Sequence, residues 1–307
     1  MSSSLADAMR ARPVVLDGGL ATRLEERGHD LSDDLWSARL LVDDPAEVVA
    51  AHFDYFAAGA EIATTASYQV SYQGLAERGL DHADTDKLLR RSVELAREAA
   101  SLFDDDRPRW VAASVGPYGA ALADGSEYTG DYGLTVHQLR AWHRPRLAAL
   151  AEAGADVLAL ETIPCLPEAE ALLTEIAGTG LQCWLSLTPD EDTTRCGEPM
   201  VEAFAMARDV AEVLAVGMNC CDASSAGALI GTATRMSGKP IVVYPNSGEG
   251  WDGSARTWTG EGDFTPTAVH DWVRDGARLV GGCCRVGPEQ IRQMAAALLG
   301  SDSASGR

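Results

Sequence analysis

The stretch EAGADVLALET, residues 152–162, reads in three parts. A helix-forming run ends at Ala153, and Gly154 stands where a helix C-terminus accepts a left-handed residue. An apolar run then begins at Val157 and ends on Glu161 and Thr162. The same plan recurs in AAGAEIATT (57–65) around Gly59 and in RDGARLVGGCC (274–284) around Gly276. Each copy closes a helix, turns, and feeds a short apolar strand.

Reading outward from these copies gives eight such runs: PVVLD (13–17), EIATT (61–65), WVAASV (110–115), DVLALE (156–161), CWLSLT (183–188), VLAVGMN (213–219), IVVYP (241–245) and RLVGG (278–282). They are continuously apolar rather than alternating, as strands covered on both faces should be. Helical periodicity fills the gaps, at 47–58, 85–102, 139–153, 167–177, 224–236, 267–274 and 288–299. Pro167 and Pro288 fall where a first-turn proline is tolerated. Eight strands alternating with helices predict an α/β fold, a single closed (β/α)8 TIM barrel. A doubly wound open sheet is the runner-up, but no GxGxxG follows the first strand. We expect one domain over residues 1–300 and a frayed tail over 301–307 (SDSASGR).

Bulk composition narrows the function. The chain has 307 residues, 46% of them apolar, and a formal net charge of -21. That charge argues against nucleic acid or an anionic membrane as partner, since both call for a basic patch. The N-terminal MSSSLADAMRARP lacks the apolar core of a secretory signal. No run approaches the roughly 20 apolar residues of a membrane span. A cytoplasmic protein is expected, with small-molecule partners and no obligate protein partner. The seven cysteines (Cys165, Cys183, Cys196, Cys220, Cys221, Cys283 and Cys284) are odd in number, which points away from a disulfide framework and toward free, metal-bound or catalytic thiols.

In a barrel the chemistry collects at the strand C-termini. Strand one ends at Asp17 before Gly18-Gly19, strand two at Thr64, Thr65 and Ser67, and strand four at Glu161. Strand six ends Asn219-Cys220-Cys221, strand seven Tyr244-Pro245-Asn246, and strand eight Cys283-Cys284. Two carboxylates and two thiol pairs therefore share one rim. Converging thiolates suggest zinc, with three protein ligands at a catalytic site and four at a structural one. Neighbours on an extended strand point to opposite faces, so Cys220 and Cys221 should not share an ion. Cys283 and Cys284 can share one if the backbone turns sharply, which Gly281-Gly282 would permit. One sulfur from strand six and two from strand eight then leave a fourth position open. None of the six histidines (His29, His52, His82, His137, His143 and His270) falls at a strand end, and Cys165, Cys183 and Cys196 read as packing residues. An open position on such a zinc suits a substrate thiol, which is weakly ionised at neutral pH but deprotonated on coordination. Asp17 and Glu161 suit an ammonium group on the same substrate. The insertion GPYGAALADGSEYTGDYGLT (116–135), rich in glycine and tyrosine, is expected to cover the site.

With those residues in place, the chain resembles the zinc-dependent homocysteine S-methyltransferases. The resemblance runs from about Val14 to Pro288 and is carried by LDGGLATRLEERG (16–28), LWSA (35–38), GAEIATTASYQ (59–69), SVGPYGAALADGSEYTGDY (114–132), ETIP (161–164), GMNC (217–220), YPNSGEGWD (244–252) and GGCCR (281–285). It implies zinc on Cys220, Cys283 and Cys284, with Cys220 chosen over Cys221 because it holds the family's Asn-Cys position. It also implies that Asp17 and Glu161 meet the homocysteine amino group, and that the backbone at Gly18 and the Thr65 to Ser67 stretch lie near its carboxylate. Asn219, Tyr244 and Asn246 fall among the substrate-contacting segments, the last two toward the donor side. No catalytic residue beyond the metal site is implied. The compact length and the YPNSGE segment look most like the S-methylmethionine branch. Arg285-Val286-Gly287-Pro288 departs from the Arg-Thr-Thr-Pro more usual there. The expected reaction is methyl transfer from a sulfonium donor, S-methylmethionine or S-adenosylmethionine, to homocysteine. The rival readings are a betaine-, folate- or selenocysteine-related transfer on the same fold, a structural zinc module closed by Cys221, and a redox protein with a Cys283–Cys284 disulfide.

Overall fold

The computed structural model describes residues 4–31, 36–252, 257–262 and 264–302. All eight expected strands form: β1 (Val14–Val15), β2 (Ile62–Thr64), β3 (Trp110–Val115), β4 (Val157–Ile163), β5 (Cys183–Leu187), β6 (Val213–Asn219), β7 (Ile241–Tyr244) and β8 (Ala277–Val280). Each pairs in parallel with the next, from β2 through to β8. The last strand then returns to the first, with Val14 opposite Leu279. Leu16 bridges Ile62 across the remaining seam, and Glu61 N–H donates to the Val15 carbonyl at 2.8 Å. The sheet is thus a barrel, and the open-sheet alternative falls away.

Alternation along each strand divides the apolar residues into two layers. Leu16, Ile62, Trp110, Ala112, Val157, Ala159, Trp184, Ala215, Val242 and Leu279 fill the barrel interior, closed at the N-terminal end by Leu5 and Met9 of a helix at Leu5–Ala11. Val15, Val111, Ala113, Leu158, Leu160, Leu185, Val216 and Val243 face outward and pack against the helices. Those helices are α1 (Pro45–Ala58), α2 (His82–Ser101), α3 (Val136–Glu152), α4 (Leu166–Ile176), α5 (Met200–Met206), α6 (Ala223–Ser237), α7 (Val269–Asp275) and α8 (Pro288–Asp302). Their amphipathic pattern is plain in α2, where Thr85, Leu89, Ser92, Val93, Ala96 and Ala99 make a buried stripe and the Asp81 carboxylate caps the N-terminus. The glycines of the repeated phrase do what was asked of them: Gly59, Gly154 and Gly276 have φ of 108°, 77° and 126°.

Seven of the eight outer helices match the expected ranges within three residues, and α5 was not anticipated. Neither were two short hairpins, Pro189–Asp190 with Thr193–Thr194 after β5, and Gly250–Asp252 with Thr257–Thr259 after β7. The last helix runs on to Asp302, and residues 303–307 of the expected tail lie outside the described residues. So does the Leu35 end of the LWSA segment. Among the described residues no helix is long and apolar enough to cross a membrane.

Candidate active site

Carrying the inward parity of the strands toward their C-termini replaces apolar side chains by Thr64, Ser114, Glu161, Ser186, Asn219 and Tyr244. Above this layer lies a cavity of about 130 Å³. Of the residues singled out in the sequence, Asp17, Gly18, Thr65, Glu161, Asn219, Cys220, Tyr244, Cys283 and Cys284 all line it. Thr64, Tyr68, Ser114, Tyr128 and Glu25 line it as well. Tyr128 comes from the 116–135 insertion, which therefore reaches the site as expected. No Lys, Arg or His lies among the lining residues.

The two carboxyls are held, not free. Asp17 is 3% exposed; its Oδ2 accepts from Thr64 N–H at 2.7 Å and its Oδ1 from Thr64 Oγ1 at 2.9 Å. Burial pushes the Asp17 carboxyl up to about 8, against the lowering effect of those two bonds and helped by the charge of Glu161. Glu161 accepts from Ser114 Oγ and, at 3.1 Å, from the Tyr244 hydroxyl, which in turn accepts from Trp184 Nε1 at 3.1 Å. Burial raises Glu161 to about 6, opposed by the Ser114 and Tyr244 hydrogen bonds. The two buried acids thus have no basic partner among the residues that line the cavity.

The thiols converge from two strands. Sγ atoms of Cys220, Cys283 and Cys284 lie within 4.8 Å of one another, the one such group of three metal-binding side chains among the described residues. Cys283 and Cys284 sulfurs are 3.9 Å apart. Two sulfurs each about 2.3 Å from a tetrahedral zinc stand about 3.8 Å apart, so this pair already has ligand spacing. Cys220 and Cys283 are joined as a disulfide, with Cα atoms 5.5 Å apart, while Cys284 is free. This corrects the vicinal Cys283–Cys284 pairing: the bond crosses the rim from β6 to the segment after β8. Once reduced, the same three sulfurs fit a metal. Burial, then the nearby Glu25, pushes the Cys284 thiol up to about 12, so a cation is what would make it a thiolate. Cys221 is buried in the outer core and stands outside the cluster.

The turn that brings Cys283 and Cys284 together is not where it was expected. Gly281 and Gly282 are not left-handed; Arg285 is, with φ of 63°, and Val286 N–H closes the turn on the Cys283 carbonyl at 3.2 Å. The two glycines serve close approach instead. A Cβ on Gly282 would come within 2.1 Å of the Val286 side chain, and one on Gly281 within 2.5 Å of Leu16. Neighbouring loops pin the segment: Cys283 N–H to the Pro245 carbonyl at 2.8 Å, Cys284 N–H to Asn246 Oδ1 at 3.1 Å, and Arg285 N–H to Thr22 Oγ1 at 2.9 Å. The Arg285 guanidinium is paired with Glu249 at 2.9 Å.

Two of the expected contact residues sit behind the cavity wall. Ser67 is fully buried, donating to the Ser114 carbonyl at 2.7 Å and bonded to Thr65 Oγ1 at 2.8 Å. Asn246 holds Cys284 as just described. Asn219 lines the cavity, but its amide is engaged by Thr162 and Ser186. Sequence reasoning passed over Ser114, a small polar residue within an apolar run, and chose Thr65 over Thr64 as the contact. Inward parity, counted from the apolar layers, would have found both. The histidines stay away from the site, and Cys165 and Cys183 are buried packing residues while Cys196 is exposed.

A parallel barrel with three cysteines and two buried carboxyls around one cavity on its C-terminal rim has the layout of a barrel enzyme. The family model for homocysteine S-methyltransferase matches residues 14–298, and the chain belongs to that family. It is 44% identical to homocysteine S-methyltransferase YbgG of Bacillus subtilis over 92% of this chain and 93% of that one. It is 43% identical to selenocysteine Se-methyltransferase of Brassica oleracea, over 91% of this chain and 87% of that one. Among solved structures, the metallated form of the homocysteine methyltransferase MmuM from Escherichia coli superposes with a TM-score of 0.85 at 40% identity, covering 94% of this chain and 99% of that one. The oxidized form of MmuM gives 0.83 at 41% identity, covering 92% and 95%.

Proposed function

We propose that this chain methylates homocysteine, taking the methyl from a sulfonium donor, S-methylmethionine or S-adenosylmethionine, with zinc on Cys220, Cys283 and Cys284. The observation that carries the reading is the shared cavity: three sulfurs within 4.8 Å of one another beside Asp17 and Glu161. Zinc held by these sulfurs would leave a coordination position open and would supply the charge that lowers the pKa of a substrate thiol.

The chain's own residues do the rest. Asp17 and Glu161 hold the ammonium group, and its charge draws both carboxyls into their ionised form. Gly18 and Thr65 face the substrate carboxylate, with Ser67 fixing Thr65 from behind. Tyr244, by donating to Glu161, keeps that acid's second oxygen turned inward. A sulfonium donor then enters from the side of Tyr68, Tyr128 and Glu25. The homocysteine sulfur forms a bond to the methyl carbon as the bond to the donor sulfur breaks, and the electron pair leaves with that sulfur as a neutral thioether. A cation loses its charge in this step, so a cavity lined by Tyr68, Tyr128 and Tyr244, from which the bound substrates displace water, favours it. No general base is called for at the transfer.

Cys221 speaks against the structural zinc module, since it lies outside the sulfur cluster and cannot close a fourth ligand position. The Brassica relative supports testing selenocysteine as an alternative acceptor. The deciding experiment measures zinc content and methionine formation on the reduced protein with homocysteine and a panel of S-methylmethionine, S-adenosylmethionine and betaine. Turnover with a sulfonium donor is the expected result. Turnover with betaine alone would overturn the donor, and turnover independent of zinc would overturn the metal.

A further inference from the structure

Besides Arg285, two residues at the ends of strands β4 and β6 on the rim have left-handed backbones without being glycine: Thr162, with φ of 60°, and Cys220, with φ of 50°. Such conformations are costly away from glycine, and a β-branched residue such as threonine is a poor candidate for one. Each lies at a functional position. Thr162 directly follows Glu161, and its bend coincides with a register shift of β4 against β5 between Leu160 and Ile163. Cys220 directly follows Asn219 at the end of β6.

One side chain joins the two. Asn219 is 1% exposed. Its Oδ1 accepts from Thr162 N–H at 2.9 Å and from Ser186 Oγ at 2.7 Å, and its Nδ2 donates to Thr162 Oγ1 at 2.7 Å. The bent strand takes Thr162 N–H out of the sheet ladder, and the asparagine amide supplies the partner that a buried N–H requires. On its own strand Asn219 leads into Cys220, whose N–H donates to the Tyr244 carbonyl at 3.3 Å and whose carbonyl accepts from Thr188 Oγ1 at 3.1 Å.

We propose that Asn219 is a positioning residue that fixes the span between Glu161 and Cys220, and that this span sets the length of amino-acid thiol the site accepts. The proposal rests on the reading of Glu161 as the ammonium partner and Cys220 as a metal ligand. Homocysteine and cysteine differ by one methylene between the amino-bearing carbon and the sulfur. A rim in which Glu161 and Cys220 are tied through one amide holds the two ends of the substrate at one separation. A rim without that tie lets the Thr162 bend relax and the separation drift.

The test compares wild type, Asn219→Ala, and the double variant Asn219→Ala/Thr162→Gly, because glycine takes a positive φ without a brace. Three readouts are taken: KM for homocysteine, the ratio of homocysteine to cysteine binding, and zinc retention against a chelator. Asn219→Ala should raise KM at least tenfold, narrow the homocysteine preference, and release zinc faster, and the added Thr162→Gly should restore at least half of the lost preference. Unchanged KM, preference and zinc retention in Asn219→Ala overturns the proposal, as does a double variant no better than the single one. Hydrogen exchange of the Thr162 amide needs neither substrate nor metal. Protection lost in Asn219→Ala supports the brace even if the activity reading fails, and unaltered protection sinks it. If Asn219→Ala does not fold, Asn219→Asp, which keeps the acceptor and loses the donor to Thr162, is measured in its place with the same criteria.

Discussion

Asp17 carries an acid that ordinarily ionises near 4 into a site that raises it to about 8. A carboxyl raised on folding contributes stability that is fully present below its unfolded value and is lost as pH rises through its folded one. Reduced, ligand-free protein should therefore lose stability between about pH 4 and pH 8 through this residue. Asp17→Asn should flatten that decline in thermal melts across the range while raising KM for homocysteine at least tenfold. A parallel decline in wild type and variant would remove Asp17 as the source. The sulfurs lend themselves to an equally direct substitution. Cys284→Ser should lose most of its bound zinc by elemental analysis and at least a hundredfold in methyl transfer, because a serine hydroxyl is a poor zinc ligand at neutral pH. At this scale the sequence was readable where a residue type is rare and placed at a strand end, as with Asp17, Glu161 and Cys283. It was silent where the choice depends on a backbone angle. Spacing alone does not separate Cys220 from Cys221; the left-handed turn at Cys220 does, by sending its sulfur to the rim and leaving Cys221 in the outer core.

Elements behave differently, because a side chain on one helix can decide where several loops stand. Arg146 of α3 is 1% exposed and donates to the Gly116 carbonyl at 2.9 Å and to the Ser67 and Tyr68 carbonyls at 2.6 Å each. One guanidinium thus roots both the segment after β2 and the start of the 116–135 insertion that delivers Tyr128. Next to it, Glu168 of α4 accepts from Tyr118 N–H at 2.6 Å and bonds His143 at 2.8 Å, holding the same insertion from its other side. Arg146→Met fills similar volume but strands three buried carbonyls, so it should cost about 3 kcal/mol or more in urea unfolding. It should also weaken sulfonium-donor binding more than homocysteine binding. A loss under 1 kcal/mol would mean that the loops are rooted elsewhere. Helix–glycine–strand phrases made the barrel legible, since Gly59, Gly154 and Gly276 mark helix ends by a conformation other residues avoid. The missed α5 has seven residues, MVEAFAM, and too few turns to show a period. The two hairpins rest on pairs of two and three residues, below the length at which alternation can be read.

For the whole molecule, metal and redox state should act as one equilibrium, since Cys220 and Cys283 cannot be disulfide-bonded and serve as thiolate ligands together. Adding zinc to thiol-reduced protein should raise the melting temperature, and a chelator should reverse the rise. A ligand at a thousand times its Kd stabilises by about 4 kcal/mol. The oxidised protein should show no such response; an equal shift in both states would place the ion at some other site. Net charge, by contrast, was informative only as an exclusion. The -21 balance argues against a nucleic-acid partner, yet the acids at the site are two buried ones, Asp17 and Glu161, that no total reveals.

The barrel's last seam has a consequence in the order of synthesis. Val14 and Val15 find their ladder partners on one side in Leu279 and Val280, more than 260 residues later. A nascent chain leaving the ribosome therefore carries Asp17, Glu161 and Cys220 long before it carries Cys283 and Cys284. Until the final strand emerges, the first has an unfilled edge and the thiol cluster has a single sulfur. The three-sulfur cluster and the cavity beside it are thus complete on no shorter chain, and a ligand that uses both would reward only the finished polypeptide.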